Sequence, residues 1–143
     1  MKKHLSVLLA GLVIGCLASA VFAASSHDAH STTTDHSGHI GEKIHESTVK
    51  GYRLAYHLLD LPGREVKHLI TYIVDAAGKP VNDAKVGYLV VDPGENEQMV
   101  MAMTMKDSFG GDVDFSLKGK YTIKSKAVVG DKNLLDSFTY VVD

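Results

Sequence analysis

Six clusters of turn-forming residues cut the chain beyond residue 48 into short apolar runs, and that spacing limits the fold it can adopt. The clusters are Leu61-Pro62-Gly63-Arg64, Ala76-Ala77-Gly78-Lys79-Pro80, Asp92-Pro93-Gly94-Glu95-Asn96, Ser108-Phe109-Gly110-Gly111, Lys118-Gly119 and Gly130-Asp131-Lys132-Asn133. Each supplies glycine for a positive φ or proline for a preset one, so each is a turn with a mechanism. The runs between them are rich in Val, Ile, Leu, Tyr and Thr and predict strands near 50–60, 65–75, 84–91, 98–106, 112–117, 120–129 and 134–142. No segment reads as an organising helix, and no internal repeat stands out. The expected fold is all-β, a seven-stranded immunoglobulin-like antiparallel sandwich over residues 48–143. With no tryptophan and one cysteine, it lacks the disulfide and core indole of antibody domains.

The first residues carry a different signal. Lys2 and Lys3 precede an apolar run from Leu5 to Ala20, and Val21-Phe22-Ala23 follows as a small-residue cleavage site. Residues 1–23 therefore read as a secretory signal peptide. The mature chain is expected to begin near Ala24, to have no transmembrane helix and to be exported to the periplasm. Val13-Ile14-Gly15-Cys16 also fits a lipoprotein box, whose alternative outcome is a membrane-anchored lipoprotein with a lipid at Cys16. The apolar Leu17-Ala18-Ser19-Ala20-Val21-Phe22-Ala23 after that cysteine favours soluble export. Because Cys16 is the sole cysteine, disulfides, thiolate metal sites and cysteine catalysis are excluded from the domain. The formal charge of −2 becomes more negative once Lys2 and Lys3 are removed, so nucleic acid is a poor partner.

Residues 24–47 are dominated by Ser, Thr, Gly, Asp and His without apolar periodicity, and are expected to form a flexible His-rich segment. His27 and His30, then His36 and His39, stand three residues apart, a spacing at which two imidazoles grip one ion. Imidazole suits zinc, copper and nickel alike, so such a tail captures metal without strong selectivity.

All four methionines other than the initiator lie in one window, Met99, Met101, Met103 and Met105. On a strand they share a face. Gln98, Thr104 and Lys106 mark the other face as solvated, which makes the methionine face the inner one. Two roles remain open for it: flexible side chains filling a core, or a row of thioethers suited to Cu(I) in a compartment without free thiols. Met99 and Met105, at the ends, are the better placed for metal entry. Within the domain, a two-residue turn at Pro62-Gly63 would set His57 opposite His68. Side-chain alternation instead turns His57 outward and His68 inward, where an imidazole meets inward thioethers. A hydrogen-bonded structural role stays open for both histidines.

The stretch from His68 to Pro93 resembles the small exported immunoglobulin-like domains of the YtkA-like and FixH-like kind. The resemblance rests on Asp75, Gly78-Lys79-Pro80-Val81, Asp83-Ala84-Lys85-Val86, Pro93-Gly94, the methionine row and Gly119-Lys120-Tyr121, and covers roughly residues 65 to 142. It implies a setting of periplasmic metal handling and copper-oxidase assembly.

No Gly-x-Ser-x-Gly, phosphate loop or His-Glu-x-x-His is present, and Asp92, Glu95, Asp112 and Asp114 read as solvated carboxylates, so an enzyme is not expected. The sequence points to an exported metal-binding protein, copper first, using Met99, Met101, Met103, Met105 and His68. The alternative is a structural module of the envelope that docks another protein, with the methionines as core or contact surface.

Overall fold

Alternate residues of most runs are buried, and two sheets close over them. The computed structural model describes residues 38–143, which belong to one compact unit. Nine strands follow in order: β1 (Glu42–Val49), β2 (Tyr52–Asp60), β3 (Val66–Val74), β4 (Lys85–Val91), β5 (Glu97–Met101), β6 (Met103–Thr104), β7 (Phe109–Asp114), β8 (Gly119–Val129) and β9 (Lys132–Val142). One sheet has the order β1-β2-β3-β7-β6 and the other β5-β4-β8-β9, and every pairing is antiparallel. Apart from the added β1, this is the strand order of an immunoglobulin-like sandwich.

The core between the sheets is apolar and aromatic, with Leu54, Tyr56, Leu69 and Ile73 from one layer against Val86, Val90, Ile123 and Leu134 from the other. One buried polar contact there is closed on itself, since Thr71 Oγ1 lies 2.7 Å from Tyr88 Oη, which in turn reaches the Phe109 carbonyl at 3.3 Å. Desolvation pushes the Tyr88 phenol above its ordinary range, keeping it neutral and able to donate.

At the start of β8, Tyr121 builds the tyrosine corner typical of this architecture. Its hydroxyl donates to the Leu117 carbonyl at 2.9 Å and accepts from the Leu117 N–H at 3.0 Å. Tyr121→Phe leaves both backbone groups without that partner. It is expected to cost about 1–2 kcal/mol, read as a drop of roughly 5–15 °C in the midpoint of thermal unfolding.

The sandwich extends the expected seven strands in two places. Most of β1, residues 42–47, falls in the segment expected to be flexible; its sequence Glu42-Lys43-Ile44-His45-Glu46-Ser47-Thr48-Val49 is too polar to read as a strand, yet suits a charged sheet edge. It is fastened across the sandwich by Ser47 Oγ donating to Asp136, and by His45, stacked on Phe138 at 4.3 Å. The run 98–106 divides at Ala102, where the chain leaves β4 and joins β7, so one edge serves both sheets. The strand expected at 112–117 begins earlier, at Phe109. The signal peptide 1–23, Cys16, and His27, His30 and His36 lie outside the described residues.

Candidate metal centre

The methionine face is the outer one. Met99, Met101 and Met103 are 86%, 72% and 71% exposed, while Val100 and Ala102 pack against the core. The expectation of an inward row fails because the second face is not solvated at its centre. Gln98 is spent on the opposite sheet, its amide bonding the Asp114 carbonyl at 2.9 Å and the Asp114 N–H at 3.0 Å, and Val100 fills the space above Gly111. The switch at Ala102 also divides the row. Met99 and Met101 pair with Leu89 and Gly87 on the four-stranded sheet, while Met103 pairs with Gly110 on the five-stranded one.

His68 is on the outer face too, not the inner. β3 is apolar on both sides, so alternation alone cannot name its core face. Leu69, Thr71 and Ile73 face the other sheet, and Ile70 and Tyr72 form a second, outer cluster with Ala55. The β2–β3 register differs from that expected as well. Leu61 accepts a turn bond from the Arg64 N–H at 3.0 Å, but pairing resumes only at Asp60 and Lys67. His57 therefore sits opposite Ile70, and His68 opposite Leu59. The two histidines share a face as diagonal neighbours rather than a direct pair.

They have different surroundings. His57 is 2% exposed, its Nδ1 is 3.2 Å from the Gly41 carbonyl, and its Nε2 is buried with no hydrogen-bond partner among the described residues. The ring is walled in by His39 and Tyr72, each with its centroid 5.2 Å away, which closes it to an entering ion. His39 stacks on Tyr72 at 3.6 Å, and the Ile40 N–H donates to the Tyr72 hydroxyl at 2.9 Å, so residues 38–41 strap the outer cluster. At Gly41, where φ is +84°, a Cβ would stand 2.6 Å from the Leu58 carbonyl oxygen; the strap lies that close.

His68 is more open, its side chain 16% exposed. Its cross-strand partner Asp112 accepts a hydrogen bond from the Nδ1–H at 2.7 Å, and Arg64 holds the other carboxylate oxygen at 3.3 Å. A carboxylate only accepts, so Nδ1 carries a proton, and in the neutral ring the lone pair is then at Nε2. That Nε2 points over Gly110, where a Cβ would lie 2.4 Å from it and 2.9 Å from Met105 Sδ. The imidazole nitrogen and the thioether sulfur are thus no farther apart than the sum of those distances, a gap one soft cation bridges after a small rotation of the flexible thioether. Met105 is fixed by its N–H donating to the Ser108 carbonyl at 2.7 Å, and Met103 stands on the next strand on the same face. Met105 and His39 also line one hollow of about 380 Å3 with Tyr72, Pro80 and Ser108.

The structure thus brings together Met103, Met105 and His68, with His39 at the adjoining hollow, and leaves Met99, Met101 and His57 elsewhere. Sequence reasoning missed Gly110 and Asp112. The sequence reads Gly110-Gly111 as a turn, although neither has a positive φ. A glycine pair inside a strand instead marks close approach from another group. Among the described residues no three His, Cys, Asp or Glu converge on a point; over Gly110 an imidazole nitrogen and a thioether sulfur approach one another.

A search of curated proteins found no match, nor did a search of solved structures. The model of the family described as YtkA-like matches residues 47–126, from the end of β1 into β8, and the chain belongs to the YtkA-like family.

Proposed function

We propose that this is an exported copper-handling protein, not an enzyme, that holds Cu(I) as cargo between His68 Nε2 and the thioethers of Met105 and Met103. The observation that carries this reading is the pocket over Gly110, where a nitrogen with its tautomer fixed by Asp112 meets a sulfur in the space of a missing Cβ. One imidazole with thioethers selects a soft monovalent ion over zinc or calcium, which take harder or more numerous ligands. The leader-like start and the histidines before residue 40 support export and loose capture of metal upstream, with zinc or nickel as competitors there. A purely structural role for the row, with methionines as core, is disfavoured by the exposure of Met99, Met101 and Met103.

The test is competition for Cu(I) between a chromogenic chelator and residues 38–143, which contain all nine strands. One ion per chain is expected. Replacing Met103 and Met105 together with leucine, or His68 with glutamine, should weaken binding about tenfold or more. The pair Met99→Leu and Met101→Leu should leave it unchanged. Wild-type affinity in the Met103/Met105 variant removes the proposal.

A further inference from the structure

The outer face of the four-stranded sheet takes no part in the metal pocket, yet it holds a shallow trough of about 620 Å3 floored by Gly87. Four of the large apolar side chains exposed in the described structure lie on this face: Met99, Met101, Leu135 and Val141. Lys85, Lys120, Lys124 and Lys126 stand on it too, each exposed. Pairing places Lys126 between Gly87 and Leu135, and Lys124 between Leu89 and Ser137, so the charges are set among the apolar groups rather than at a distant rim. Glu97 is the one acidic residue on the strand positions of this face. In a chain with more acidic than basic residues, that is a strong local reversal of charge.

We propose that this face docks on an anionic lipid surface. Four lysines against one glutamate forbid self-pairing through a two-fold axis, which would oppose like charges. The face has no aromatic residue and no arginine on its strands, the types that anchor protein–protein interfaces, and it is rich in lysine, which such interfaces avoid. Lysines that keep their ammonium groups at the headgroups while methionine and leucine enter the acyl boundary are the chemistry of a peripheral membrane contact. Docked this way, the pocket over Gly110 is on the opposite sheet and stays open to water. The inference stands independently of the copper reading.

The test is sedimentation of residues 38–143 with large vesicles of equal parts phosphatidylglycerol and phosphatidylcholine, against vesicles of phosphatidylcholine alone. Binding to the anionic vesicles only is expected, falling as salt is raised. Lys124→Glu with Lys126→Glu should lower partitioning about tenfold or more. Met101→Gln should lower it severalfold. The charge-matched pair Lys50→Glu and Lys79→Glu, in turns away from the face, should change it little. Failure to bind anionic vesicles, equal binding to both vesicle types, or an equal loss in the control pair each overturns the proposal, the first returning the face to a protein partner.

Discussion

Replacing Gly110 with alanine is expected to abolish high-affinity Cu(I) binding while the sandwich stays folded. The added Cβ would lie 2.4 Å from His68 Nε2 and 2.9 Å from Met105 Sδ, the same two atoms proposed to hold the ion. The thioether end can swing away. The imidazole can do so only by breaking the 2.7 Å bond to Asp112. Either response separates the donors and fills the space between them with a methyl group, so affinity should fall about a hundredfold or more, the scale of losing a ligand and its orientation together. Stability should change by no more than about 1–2 kcal/mol, because overpacking is offset by alanine's lower backbone entropy in an extended strand. Chelator competition and a thermal melt on the same preparation check both halves. Wild-type affinity in Gly110→Ala would show that copper, if bound, sits elsewhere.

How far this pocket was legible in the sequence depends on what kind of signal each part left. Turn chemistry placed most strands within a few residues, since glycine and proline act on the backbone locally. Faces were harder. On β3 both His68-x-Ile70-x-Tyr72 and Leu69-x-Thr71-x-Ile73 are largely apolar; the other sheet packs on the second set, and the first becomes an outer cluster under the strap of residues 38–41. On β5 the fault was symmetrical. Gln98 looked solvated and is bonded across the sandwich, and the methionines looked like core and are exposed. Both errors have one origin: alternation reports that two faces differ, and the long-range partner decides which is inside. The pairing of His68 with Asp112 is of the same long-range kind, 44 positions apart, and left no local trace except Gly110-Gly111. Without a positive φ, those glycines serve space rather than turning, and the space is the site.

Phe109→Ala should show the opposite signature, a large loss of stability with the pocket's donors intact. Phe109 is buried in the core, and its backbone pairs with Thr71 on one side and Thr104 on the other. Its carbonyl also accepts from the Tyr88 hydroxyl, so the ring lies where both sheets meet. Removing it leaves a cavity that strands on both sides cannot close, at an expected cost of about 3–5 kcal/mol. For a domain whose total stability is about 5–15 kcal/mol, that lowers the thermal midpoint by roughly 15–30 °C. Leu135→Ala, at a site 64% exposed on the opposite sheet, should stay within about 0.5 kcal/mol. Because His68, Met105 and Asp112 lie on the outer face, away from this cavity, the folded fraction of Phe109→Ala should still take up Cu(I). By mass action the ion should then raise its midpoint, while Gly110→Ala gains nothing from copper at the same concentration. A Phe109→Ala protein that melts low and ignores copper would mean that the core sets the donor geometry, and that the pocket over Gly110 is not an autonomous feature of the outer face.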